Sequence, residues 1–199
     1  MNIEKAAENL IKRGFMVSRF KNKTEAADYL VSSIENTTIG MGGSMTLKTM
    51  GIYERLMQKN DVYWHGLNRS REIEMNGINA KVYLTSANAI AETGEIINID
   101  GTGNRVAATL YNKEKVYFIV GKNKFADDFE SALWRARNVA APKNAQRLGK
   151  KVPCAVKGDK CYDCASGPER TCNALVVLWG KTRGVGEIEV VIIDEELGF

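Results

Sequence analysis

At 199 residues, 44% apolar and 26% charged, the chain has the size and composition of a single globular domain with a core of its own. Its net charge of +4 favours anionic ligands but is too thinly spread for a duplex-binding face. No stretch reaches the roughly 18 apolar residues of a membrane span.

In chain order, residues 2–13 are the first expected helix, with Ile3, Ala7, Leu10 and Ile11 on one face and Gly14 placed to end it. The charges among those apolar residues mark an amphipathic helix rather than an export signal, so a cytoplasmic, reducing setting is expected. Residues 15–20 alternate as a strand, and Thr24 is the expected N-cap of a helix carrying Ala27, Tyr29, Leu30, Val31 and Ile34. A short buried strand at 37–40 runs into MGGS and a helix reaching Met57. Strands are expected at 62–64 and 81–84 around a helical stretch near 70–75, then at 95–99 and 115–120. A helix from about 126 to 138 follows, and two strongly apolar strands at 174–179 and 187–193 complete the pattern. This alternation predicts an α/β fold, a mostly parallel sheet covered by helices, with ligands at the carboxyl ends of its strands. Residues 142–173 hold all three prolines and all four cysteines and are expected as an appendage to one domain spanning 1–199.

Two groups of loops point to a ligand. In TTIGMGGSMTLKTMG, Gly40, Gly42 and Gly43 let backbone approach a bound group, Ser44 can cap the next helix and add a hydroxyl, and Lys48 adds a charge one turn later. The spacing matches neither the dinucleotide fingerprint nor a P-loop; the competing interpretation is a tight, well-capped βα turn. The second group surrounds the strand at 95–99. Glu92 or Glu95 is a candidate acid or base, Asn104 and Arg105 follow the strand's far end, and Arg105 offers a bidentate fork to a carboxylate or phosphate. Lys122, in GKNK after the strand at 115–120, belongs to the same expected edge, although Gly, Asn and Asp are also ordinary turn residues. These residues predict an anionic small molecule as ligand. The single histidine, His65, reads as a strand-end turn residue.

Cys154, Cys161, Cys164 and Cys172 give C-x6-C-x2-C-x7-C. The inner pair has the usual spacing for two thiolates on one metal, and four thiolates suffice for a closed tetrahedral zinc site. A four-cysteine iron–sulfur (4Fe-4S) cluster is the alternative, and reduced or partly disulfide-linked cysteines without metal remain open.

The segments AETGEIINIDGTGNRVAA, VYFIVGKNKF, RNVAAPKNAQRL, PC…CYDC…TCN and EELGF, in that order, resemble the lactate-utilisation (LUD) domain family, and within it the stand-alone members with a cysteine cluster near the C-terminus. The resemblance implies the fold shared by ribose-5-phosphate isomerase, glucosamine-6-phosphate deaminase and CoA transferases, a mixed sheet with helices on both faces. It also implies a link to the oxidation of L-lactate to pyruvate, as an accessory or ligand-binding subunit beside iron–sulfur subunits. The chain lacks the CxxCxxC ferredoxin module of the larger operon partner and any flavin fingerprint. A second reading is an enzyme acting on a phosphorylated or carboxylated substrate, with Glu92 as acid or base. A third, zinc-dependent nucleic-acid binding, rests on Lys150, Lys151, Lys157, Lys160 and Arg170, a charge run that more often marks a solvated surface.

Overall fold

The structure, a computed structural model, describes residues 1–67 and 70–199. Helix α1 (Ile3–Lys12) begins at Asn2, whose side-chain oxygen accepts the Lys5 amide, and stops before Gly14, at φ 85°. Strand β1 (Met16–Phe20) leads into α2 (Lys23–Ser33). Its cap is Asn22, accepting the Glu25 amide at 2.9 Å, rather than the expected Thr24, which lies in the first turn. Asn is the stronger cap, because its short amide reaches the free N–H groups of that turn. Next come β2 (Thr38–Met41) and α3 (Met45–Met50), capped by Ser44. The helix expected to reach Met57 breaks at Gly51, in left-handed backbone at φ 61°, and resumes as α4 (Tyr53–Leu56).

The chain continues through β3 (Asp61–Trp64), α5 (Arg71–Asn79), β4 (Val82–Thr85), β5 (Ala89–Ala91), β6 (Ile96–Asp100), α6 (Asn104–Leu110), β7 (Lys113–Gly121) and β8 (Phe125–Ala126). Helix α7 (Phe129–Arg135) runs on through a π turn (Ala136–Ala140) into α8 (Ala141–Arg147), well past its expected end. Pro142 reads as a stop, since it lacks an N–H and its ring crowds the preceding turn; the wider π turn just before it accommodates both. Helix α9 (Pro153–Lys157) and strands β9 (Ala174–Leu178) and β10 (Val185–Ile193) complete the order.

The main sheet has the order β1-β10-β7-β4-β2-β3, and every pair in it is parallel. A smaller sheet, β8-β5-β6-β9, is mixed, with β5–β6 and β6–β9 antiparallel. The α/β class therefore stands as expected. The two apolar strands near the end of the sequence separate, however: β10 lies inside the main sheet and β9 on the edge of the small one.

The period of two along the central strands divides the core. Val116, Phe118 and Val120 of β7, with Ile188, Val190 and Ile192 of β10, pack against Ala6 and Leu10 of α1 and against Ile90 and Ile96 of the small sheet. Tyr117 and Ile119, with Val191 and Ile193, face the other way onto Leu30 of α2, Leu47 of α3 and Leu56 of α4. Helices thus cover both faces, and each face removes a continuous apolar surface from water. Across two neighbouring strands of the main sheet, buried Glu189 of β10 places Oε2 2.9 Å from Lys115 Nζ of β7, while Oε1 accepts from Ser18 and Tyr29.

Gly40 is fixed by this packing. A Cβ there would lie 2.2 Å from the Gly77 carbonyl of α5 and 2.7 Å from the Tyr83 ring, so the helix could not approach β2. Gly43 has no such neighbour; its nearest contact would be His65 at 3.8 Å. Gly40→Ala should destabilise the protein by about 1–3 kcal/mol or more through forced backbone displacement, whereas Gly43→Ala should stay within about 0.5 kcal/mol. Urea denaturation of the two variants checks the contrast; equal midpoints would mean that α5 does not press on Gly40.

Candidate functional site

Strands β7, β4, β2 and β3 are neighbours and parallel, so the loops at their carboxyl ends gather along one edge. Gly43 and Ser44 follow β2, His65 follows β3, Ser86 and Asn88 follow β4, and Lys124 follows β7. With Asp100–Arg105 from the end of β6, residues of α8, and Lys150 and Arg170 of the appendage, they line a polar cavity of about 350 Å³. Of the residues expected from sequence, Gly43, Ser44, Asn104 and Arg105 meet here.

Arg105 is more deeply committed than a ligand fork would be. Its five N–H groups face five protein oxygens: Ser86 O at 3.2 Å, Asn98 Oδ1 at 2.5 Å, Asn88 Oδ1 at 3.3 Å, Ile99 O at 2.6 Å and Asp100 Oδ2 at 3.2 Å. Asp100 in turn accepts the Thr102 and Gly103 amides through Oδ1. The guanidinium therefore adds its charge to the cavity while its donors hold the walls. Gly42 belongs to this frame rather than to the opening, since a Cβ there would stand 3.1 Å from the Arg105 stem and the Tyr83 hydroxyl. Asn104 accepts the Arg105 amide through Oδ1, which leaves its Nδ2 without a protein partner among the described residues.

Lys124 is the residue that sequence reasoning missed. Lys122 and Lys124 share one 3₁₀ turn, and with about three residues per turn, positions two apart point in different directions. Lys122 is exposed and does not line the cavity, whereas Lys124 is 5% exposed at its wall. The Lys124 ammonium donates to Ser86 Oγ and Ala87 O, both at 3.0 Å. Burial, reinforced by the nearby Arg135 and Arg105 charges, pushes its pKa down to about 7. The GKNK motif signalled a lysine here; choosing between the two required the turn's geometry. Arg147, Lys150 and Arg170 were also outside the expected ligand set, and they bring the appendage and the end of α8 into the site. The only acidic side chain on the cavity, among the described residues, is Asp100.

Other expected members lie elsewhere. Glu92 receives the Asn2 amide at 2.6 Å and pairs with Lys5 at 2.8 Å, so it anchors the start of α1 and is not on the cavity. The Lys5 hydrogen bond, with the Asn2 amide, holds its carboxyl below the usual range, opposite to what an acid at neutral pH needs. Lys48 is exposed on α3, and Gly40 is buried beneath α5. In the glycine loop, the Gly42 amide donates to Leu84 O and the Gly43 amide to His65 Nε2 at 3.2 Å. The Ser44 and Met45 amides have no protein acceptor among the described residues. His65 is thus a loop-holding strand-end residue that also lines the cavity.

All four cysteines are free thiols, half-buried, and line a second cavity of about 290 Å³. Burial raises the Cys154 thiol pKa, and the other three cysteines add to that rise. Among the described residues, no three Cys, His, Asp or Glu side chains come close enough to hold a metal ion. The basic residues around them have local partners: Lys150 pairs with Glu169 at 3.7 Å, and Lys157 and Lys160 lie over the Tyr162 ring. No helix among the described residues is long and apolar enough to cross a membrane.

The family model for the LUD domain matches residues 3–193. No curated protein matches the chain. Among solved structures, the chain is similar to a DUF162 family protein from Deinococcus radiodurans, whose crystal structure is at 1.70 Å resolution. The two share 15% identity over 96% of this chain and 95% of that one, with a TM-score of 0.57. At that identity the likeness speaks for the fold.

The depressed Lys124 pKa has a measurable consequence. The folded group loses its proton near pH 7, while in the unfolded chain it keeps it to about 10.5. Between those values the unfolded state binds the extra proton, so this group's contribution to stability rises with pH from about 7 to about 10.5 and is flat and lowest below 7. The urea midpoint of the wild type should therefore climb over that window relative to Lys124→Met. Parallel curves would show that Lys124 titrates normally.

Proposed function

The chain belongs to the LUD domain family, which is linked to lactate utilisation, and from that premise we propose that its polar cavity binds a small carboxylate of the 2-hydroxy- or 2-oxo-acid type. In this reading the protein is a ligand-binding or accessory subunit of lactate oxidation, working beside iron–sulfur subunits. One observation carries it: Arg105, Lys124, Arg147, Lys150 and Arg170 converge on a cavity whose single acidic side chain is already paired. A cavity of about 350 Å³ with that balance suits a compact anion. Asn104 Nδ2 and the Ser44 and Met45 amides supply neutral donors at the same edge, and Lys124, protonated on binding, would complete the charge match.

Calorimetric titration with sodium pyruvate and sodium L-lactate, against sodium phosphate, tests this reading. Lys124→Met and Asn104→Ala should each weaken carboxylate binding by about tenfold (1.4 kcal/mol) or more. The anion selects protonated Lys124, so affinity should be level below pH about 7 and fall above it, by at most about tenfold per pH unit. Binding that is indifferent to both substitutions and to pH would place the ligand elsewhere. Stronger binding of phosphate than of either carboxylate would replace the carboxylate by a phosphorylated ligand.

The second reading, an enzyme, is favoured by Lys124 rather than Glu92. A buried amine that is half neutral near pH 7 can attack a carbonyl carbon, losing water to form an imine, or can carry a proton. Sodium borohydride added with pyruvate would reduce such an imine to a stable amine on Lys124, visible by mass spectrometry. An unmodified Lys124 would leave the binding reading alone. For nucleic acid, no feature of the cysteine segment favours binding over the local pairs its cations already make.

A further inference from the structure

Cys154 stands in α9, Cys161 and Cys164 flank an irregular turn, and Cys172 follows the 3₁₀ turn Gly167–Glu169, yet all four face one cavity. The turn between the inner pair places Asp163 at φ 48°, a left-handed conformation that Asp tolerates better than most residues. Apart from the thiols, much of the lining is aliphatic, including Leu133, Val152 and Leu175. The segment has little core of its own: Ala145, Val152 and Ala155, with Cys154 and Cys164 packed against them.

We propose that this cavity is the seat of a four-iron, four-sulfide cluster bound by Cys154, Cys161, Cys164 and Cys172. The spacing alone fits zinc as well, and the two differ in how far apart they hold the sulfurs. A zinc ion needs all four sulfurs about 2.3 Å from one point. Here all four thiols line one cavity of about 290 Å³, and among the described residues no three metal-binding side chains close around a single ion. A cubane core fills such a space with its own iron and sulfide and needs only one thiolate at each iron.

Charge and hydrogen bonding agree with that occupant. Four thiolates around an oxidised cubane leave a net negative charge, and two arginines stand at the sulfurs. Arg170 Nε lies 3.3 Å from Cys172 Sγ, and Arg137 Nη2 lies 4.0 Å from Cys161 Sγ. The Asp163 amide also donates to Cys161 Sγ at 3.3 Å, while the Asp163 carboxylate takes part of the Arg137 charge at 3.0 Å. Such N–H···S contacts stabilise thiolate and help set a cluster's potential. With a cysteine on every iron, no iron is open to substrate, so the cluster fastens the segment and can hold a single electron. The site adjoins the anion cavity, and Ile99, Ala141, Arg170, Thr171 and Asn173 line both.

The test uses the full chain, reconstituted without oxygen with ferric iron, sulfide and a thiol reductant, the ferric iron supplying the oxidising equivalents of the cubane. Chemical assay should find about four irons and four acid-labile sulfides per chain, with the brown absorption of a cubane. Dithionite should add one electron and produce a paramagnetic resonance signal. Cys164→Ser should lower bound iron at least twofold, with circular dichroism confirming that the variant folds. Arg170→Gln keeps every ligand and removes a positive charge, so it should retain iron and lower the midpoint potential. About one zinc per chain without sulfide would overturn the proposal. So would failure to retain iron while four thiols stay open to a thiol reagent.

Discussion

The Arg105 guanidinium ties the small sheet to the main one. Its partners come from the β4 loop through Ser86 and Asn88, and from β6 through Asn98, Ile99 and Asp100. A partly buried cation gains most when its N–H groups find protein acceptors, because an unpaired donor withdrawn from water forfeits its hydration. Four hydrogen bonds and the Asp100 ion pair together hold in register two sheets that share no strand. The cavity lies where those sheets meet, so its shape depends on that residue, most of whose donors are already engaged by protein oxygens.

Electrostatic strain at the site follows from the same construction. With Arg105 and Arg135 held in place by carbonyl and amide oxygens, Lys124 is the third cation in a crowded and nearly dry corner. Arg keeps its proton under such conditions, whereas an amine gives it up. The penalty therefore falls on Lys124, whose neutral form two neighbouring oxygens can still hold.

The appendage takes part in both cavities. Lys150 and Arg170 line the polar cavity, while the four cysteines of the same segment line its neighbour. A segment with so small an apolar core needs another source of order, and metal–thiolate bonds are strong enough to supply one. Ordering the cysteines would then also position cations at the first cavity.

Local chemistry was legible in the sequence: the alternation of helix and strand, Gly14 as a helix end, Ser44 as a cap, and Asn104 and Arg105 beside the loop at Gly43. The family's motifs were legible for the same reason, since they record which residue types stand in which order. The sequence by itself did not separate Lys122 from Lys124, because a 3₁₀ turn decides which of the two points inward. Nor did it show that Glu92 serves the first helix, since Asn2 and Lys5 lie some ninety positions away in the chain. The three-residue strand Ala89–Ala91 left too short a pattern to detect, and Pro142 hid a helix that a π turn carries past it. Periods, caps and metal-spaced thiols depend on neighbours along the chain and are written there. Which cation is buried, and which carboxylate is paired, depends on neighbours across space, and only the tertiary structure could decide it.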